Sequence, residues 1–251
     1  TEVAGNRSWI HIPGIPFNIQ PPEICKITFI ILLAKTMSIH QRTISKPSTV
    51  LRLGFHLIFL FGLIAVASRD IGSALMYVLI FLVMLWAGGV SWIWFVLGLG
   101  VVAVAAPFVW NSKLVQGYQR DRVMMIFDPT IDPAGEGVRW HTKNSLLTLT
   151  GGGVTGQGLF NGTRTQVGAL SQQHTDFIFS VIGEELGIVG CTFVLLLLLA
   201  IIIRCIYIGL RSRSYMSAVI CCGFAAMLAF QTFENIGMCL GLTPVIGLTL
   251  P

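Results

Sequence analysis

The segment Gln173-His174-Thr175-Asp176 stands immediately before the apolar run Phe177-Ile178-Phe179, so a carboxylate and an imidazole two residues apart sit at the rim of a hydrophobic stretch. A carboxylate there can take a proton from a hydroxyl as a general base, or it can cap the helix that follows. Glu23 and Lys26 are three apart within another apolar stretch; on a helix they share a face and can neutralise each other. Ionisable groups at membrane depth are costly and mark function by default, so a structural ion pair and a functional pair stand side by side as readings. Glu184 and Glu185 follow about two turns into the stretch that begins at Phe177. One is expected to be satisfied near the interface and the other to line a cavity. Asp70, next to Arg69, reads as the N-cap of the next helix, while Glu234 has no assigned task.

These residues must be positioned by membrane helices. The chain has 251 residues, 54% apolar and only 11% charged, against about 25% charged in soluble domains. So few charges cannot cover one soluble domain of this length, which excludes a cytosolic enzyme, a disordered protein and a disulfide scaffold. Six stretches are long enough to span a bilayer, roughly 19–37, 50–67, 71–89, 91–110, 177–203 and 215–240. A seventh has room to begin near Pro244. The expected class is an all-α polytopic membrane protein. The chain lacks an initiator Met and a signal peptide, and it reads as an internal fragment of a longer protein.

Lys35, Arg42, Lys46 and Arg52 lie in or beside the first connection without an acid, and Arg204, Arg211 and Arg213 do so around the last. Short loops biased to Lys and Arg face the cytoplasm, and alternation puts the Gly88-Gly89 turn there too. The Ser68-Arg69-Asp70 turn and residues 111–177 then face outward. That long segment holds eleven of the chain's 27 charged residues, and loops of such length are usually functional or disordered. Disorder fits poorly, because Val123–Phe127 and Leu146-Leu147 are apolar enough to lie on a membrane surface or dock on the helices. The run Gly151-Gly152-Gly153…Gly156…Gly158 lacks the Lys-Ser/Thr of a P-loop and reads as flexible backbone beside the membrane. The six cysteines show no metal-ligand spacing and read as buried thiols; the basic residues form no stripe for nucleic acid.

The run from His174 to Gly187, His-Thr-Asp-Phe-Ile-Phe-Ser-Val-Ile-Gly-Glu-Glu-Leu-Gly, resembles the signature of the SEDS family, the RodA-, FtsW- and SpoVE-type proteins of bacterial elongation, division and sporulation. Further motifs follow in family order. Gly5-Asn6-Arg7-Ser8-Trp9 and Gln20-Pro21-Pro22-Glu23…Lys26 resemble the family's Gln-Pro-Ser-Glu-x-x-Lys region, and Asp70-Ile71-Gly72-Ser73-Ala74-Leu75 its Asp-Leu-Gly-Thr-Ala-Leu. Tyr118-Gln119-Arg120-Asp121-Arg122, with Asp128-Pro129 and Asp132-Pro133, resembles the outer loop of RodA-type members; Asn235-Ile236-Gly237-Met238 and Leu242-Thr243-Pro244-Val245 continue the pattern. Ser68-Arg69, Thr150, Ser171-Gln172-Gln173 and Glu234 depart from it.

The resemblance implies one SEDS membrane domain over residues 1–251, with these spans as helices four to nine of ten and 111–177 as its large extracytoplasmic loop. It implies a peptidoglycan glycosyltransferase of the bacterial cytoplasmic (inner) membrane, which polymerises lipid II in cell-wall growth beside a class B penicillin-binding transpeptidase. A lipid-linked pyrophosphate leaves as an anion, so one carboxylate base suffices. Asp176 matches the family's essential carboxylate. Arg120, Arg122 and Lys26 are expected to stabilise the pyrophosphate, with Glu23, Asp70, Glu184, His174 and Thr175 around the substrate and the last two orienting the loop. A divalent cation, Mg or Mn, can share that task, although no ligand cluster announces one. A lipid II flippase and a non-catalytic scaffold for the transpeptidase are the alternatives.

Overall fold

The computed structural model describes residues 20–67, 71–111, 117–125, 128, 132, 137, 139–170 and 172–251. Asp70, with Ser68, Arg69 and the motif Gly5–Trp9, lies outside them. The described elements are helical: α1 Pro21–Ile39, a 3₁₀ turn Gln41–Thr43, α2 Pro47–Ala67, α3 Ile71–Ala87, α4 Trp92–Asn111, α5 Gly117–Met124, α6 Trp140–Gly151, α7 Thr163–Gln166, α8 Ile178–Arg211 and α9 Tyr215–Leu240. Helices occupy the six expected apolar stretches. Among the described residues, three segments, Pro47–Ala65, Ile178–Arg211 and Tyr215–Leu240, are long and apolar enough to cross a membrane; Gly72–Ala87 and Trp92–Phe108 are shorter apolar helices. No helix forms at Pro244: residues 244–250 have no regular secondary structure, and Gly247 takes φ +77°.

The chain divides into two units, residues 1–97 with 201–230, and residues 98–200 with 231–251. In the first, Pro21 and Pro22 open α1, where a missing N–H costs nothing, and Glu23 adds a favourable acid to the first turn. Lys26, Phe29, Ile30, Leu33, Ala34 and Met37 recur every three or four residues and are buried, whereas Ile24, Ile27, Ile31 and Leu32 on the other faces are exposed. Apolar residues all round suit a helix with protein on one side and lipid on the other. The buried face meets Tyr77, Ile80 and Met84 of α3 and Val219 of α9. The Tyr77 hydroxyl donates to the Pro22 carbonyl at 2.7 Å. Ser45 accepts from the Ser91 N–H on Oγ at 3.0 Å and from Trp94 Nε1–H on its carbonyl at 2.9 Å, while the Tyr215 hydroxyl donates to the Gly88 carbonyl at 2.8 Å. These bonds gather three helix connections at one end of the unit, two of them biased to Lys and Arg and the third, at Gly88-Gly89, expected beside them by alternation.

In the second unit the long loop carries α5, α6 and α7. The inward face of α6 is polar: Ser145 and Thr148 are fully buried, while Leu146 and Leu147 are exposed. Ser145 Oγ lies 2.7 Å from Ser180 Oγ and donates to the Cys239 carbonyl at 3.1 Å, which ties α6 to α8 and α9. The two leucines therefore take the surface option rather than docking on the helices.

The apolar stretch 177–203 is broken. Gly187 has φ 67° and ψ −166°, which no helix contains, so α8 is a short piece to Leu186 and a long one from Ile188. The break frees amides and carbonyls that need partners at this depth. The glycine run provides them: Gln157 N–H donates to Glu184 O at 2.9 Å, Gly158 N–H to Glu185 O at 3.0 Å, Ile188 N–H to Gly153 O at 3.0 Å and Val189 N–H to Val154 O at 3.2 Å. This corrects the reading of these glycines as flexible. At Gly152 and Gly156 backbone lies on backbone: a Cβ on Gly152 would strike the Gly183 carbonyl, and one on Gly156, at φ +79°, the Glu185 carbonyl.

Gly156→Ala should therefore destabilise more than Gly153→Ala. Gly153, at φ +59°, has nothing within 4 Å of its Cβ position and suffers only the conformational cost, about 1–2 kcal/mol. Thermal melting of the two purified variants measures this; equal shifts would contradict a tight backbone crossing.

Candidate functional site around Asp176

Asp176 is the last residue but one of the turn 172–177, in which Gln172 adopts φ +58°. The Gln172 carbonyl accepts from the Thr175 N–H at 3.2 Å and the Phe177 N–H at 3.3 Å, and the Thr175 hydroxyl donates to it at 3.3 Å. Thr175 thus braces the turn, whereas His174 is exposed, its Nε2 3.3 Å from Gln173 Nε2. The α8 ladder starts at Phe177, whose carbonyl accepts from Val181 N–H at 3.3 Å. The flanking cap position is Phe177, one residue beyond Asp176.

The Asp176 main chain is held from α9. Asn235 Nδ2 donates to the Asp176 carbonyl at 2.8 Å and to the Leu248 carbonyl at 2.8 Å, and Cys239 Sγ approaches the same Asp176 carbonyl at 3.9 Å. Leu248 belongs to the irregular strap 244–250. A Cβ on Gly247 would lie 3.4 Å from Asp176 Oδ2, so the strap passes close to the carboxylate. Arg122 of α5 donates through Nη1 to the Val245 carbonyl at 2.9 Å. Val245 and Gly247 are two residues apart, at most about 7 Å of chain, so the strap engages a guanidinium and the carboxylate along one short stretch. Phe177 is buried beneath His141 of α6, the rings stacked 6.2 Å apart with planes at 9°. Burial lowers the pKa of His141, and the Arg122 charge pushes it the same way, which favours neutral imidazole at pH 7.

The other expected residues are placed as follows. Glu184 is fully buried, accepting from the Arg164 N–H at 2.8 Å on Oε1, the Thr165 N–H at 2.9 Å on Oε2 and the Thr163 hydroxyl at 3.3 Å. It neutralises the amide end of α7, and the Arg164 side chain returns to α6 through Asn144 Oδ1 at 2.6 Å and Thr148 Oγ1 at 3.2 Å. Arg120 is half-buried on α5. Glu23 and Lys26 belong to the first unit, Asp176 and Arg122 to the second. Lys26 is fully buried, with its Nζ 2.7 Å from Glu23 Oε1 and 2.7 Å from Oε2. Among the described residues, no group of three His, Cys, Asp or Glu side chains is placed to hold a metal ion. Asn235, Gly247 and His141 were not singled out as site residues in the sequence, because their bonds join segments far apart along it.

The family described as cell cycle protein, comprising FtsW, RodA and SpoVE, matches residues 1–251. The chain belongs to this family. Similar members include the peptidoglycan glycosyltransferase MrdB of Escherichia coli (strain K12), 36% identical over 250 residues that cover 98% of this chain and 65% of that protein. The probable peptidoglycan glycosyltransferase FtsW of Geobacter metallireducens is 32% identical, covering 98% and 64%. The chain thus spans just under two thirds of the length of these relatives. Among solved structures, a chain of a peptidoglycan synthase complex, described for its coordination of polymerization and crosslinking, superimposes with TM-score 0.75 at 30% identity, covering 100% of this chain and 68% of that one. The rod shape determining protein RodA of Thermus thermophilus superimposes with TM-score 0.63 at 27% identity, covering 100% and 63%. Family membership and the apolar helices together make this a multi-pass membrane protein.

The Glu23–Lys26 geometry predicts that losing one partner is worse than losing both, since a single substitution strands a charge in the interior. Glu23→Gln should lower the amount of folded protein in membranes more than Glu23→Gln with Lys26→Met. A double variant no more abundant than either single variant would contradict the pairing.

Proposed function

We propose that this chain belongs to a peptidoglycan glycosyltransferase that polymerises lipid II at the outer face of the bacterial cytoplasmic membrane. Its helices correspond to spans four to nine of a ten-helix SEDS domain, with residues 111–177 on the outside, and the whole protein works beside a class B penicillin-binding transpeptidase. One observation carries the reading. Asp176, one residue short of the helix-capping position, presents its carboxylate at the strap that also engages Arg122, in a family with members named peptidoglycan glycosyltransferase.

In this mechanism the Asp176 carboxylate takes the proton of the attacking sugar hydroxyl as its oxygen bonds to the anomeric carbon of the donor. The bond from that carbon to the lipid pyrophosphate breaks, and the leaving group departs as an anion without needing an acid. Arg122, braced by the Val245 carbonyl, and Arg120 stabilise the charge that develops on it. His174 and Thr175 shape the turn that presents the base. Lys26, neutralised by Glu23, keeps its own helix charge-balanced.

Asp176→Asn tests this in the full-length protein. Asn keeps shape and hydrogen bonding but removes basicity, so polymerisation at matched abundance and matched transpeptidase binding should fall by about 10²–10⁴. Wild-type polymerisation by this variant would remove Asp176 from the chemistry. Lipid II movement across vesicles without polymer formation would favour the flippase.

A further inference from the structure

Asn235 is fully buried in α9 and spends both amide hydrogens on main-chain carbonyls outside any helix, those of Asp176 and Leu248, each at 2.8 Å. The two donors fix the orientation of the amide, because only nitrogen can serve two carbonyls. The cost falls on the oxygen: Oδ1 is buried with no hydrogen-bond partner. An apolar residue would avoid that orphan, but it would leave two buried carbonyls with one donor fewer.

What the amide joins gives the cost a purpose. One hydrogen holds the residue that carries the carboxylate; the other holds the strap residue next to Gly247, whose φ of +77° and missing Cβ leave room beside Asp176 Oδ2. A single side chain therefore sets the separation of the two walls between which the carboxylate stands. We propose that Asn235 is a positioning residue for the reaction of Asp176: it fixes the gap between that carboxylate and the strap 244–250, and so the angle at which the base meets a hydroxyl. This rests on the reading of Asp176 as the base.

The test uses purified full-length protein with its transpeptidase, measuring kcat and KM for lipid II together with melting temperature. Asn235→Leu should lower kcat per folded molecule by about 10²-fold, the scale of a 1 Å misplacement, while leaving KM unchanged. Asn235→Gln, which keeps the amide on a longer stem, should recover part of the loss. Gly247→Ala narrows the gap from the opposite wall and should lower kcat without altering Asn235; it decides the question if Asn235→Leu does not fold. Asp176→Asn is measured alongside. Wild-type activity in that variant would overturn the base assignment itself. Loss in Asp176→Asn, with kcat per folded molecule retained in Asn235→Leu and Gly247→Ala, would overturn the positioning role alone. So would a lowered melting temperature as the sole effect, which is what a merely structural asparagine gives.

Discussion

A helix that breaks at membrane depth must find new partners for its amides and carbonyls, because lipid offers none. The break at Gly187 is the constraint on which the second unit depends. The glycine run fills it with four main-chain bonds, and that crossing brings α7 to Glu184, whose carboxylate receives the α7 amides. The short piece of α8 is then anchored at its far end by the glycine run and at its near end by the hold of Asn235 on Asp176. The candidate base sits at the tip of a pinned segment rather than on a loose loop. Such stiffness is what a carboxylate needs to meet a hydroxyl at one angle.

The two units neutralise buried charge by different means. Lys26 is matched by a full opposite charge one turn away on its own helix. Glu184 is matched by main-chain amides that exist only because residues 163–165 are brought to it from 20 residues away. Charge-assisted bonds to amides are strong, but here they depend on tertiary structure. Loss of Glu184 would therefore reach the glycine crossing.

The apolar runs were sufficient to locate the large helices, since 20 or so lipid-compatible residues have few other fates. The His174–Asp176 turn was legible from its composition and its resemblance to a family signature. The break was not: Gly187 sits in a stretch so apolar that periodicity and composition read straight through it. The glycine run was misread for a related reason, since glycines chosen for close backbone approach look the same in sequence as glycines chosen for freedom. Leu146 and Leu147 left surface and docking both open; they are exposed, and Ser145 and Thr148 are inside instead, because their partners are hydroxyls, a carbonyl and an arginine from other segments. Asn235 was visible only as part of a motif; its two bonds reach 59 residues back and 13 forward.

The central claim is that Asp176 meets the attacking hydroxyl directly. A structure of the full-length protein bound to a lipid II analogue with an intact acceptor hydroxyl tests it most directly. The account predicts that hydroxyl within about 2.6–3.2 Å of an Asp176 carboxylate oxygen, with a guanidinium of the outer loop against the pyrophosphate. An acceptor hydroxyl met by another carboxylate or imidazole, with Asp176 turned away from the sugar, would contradict it.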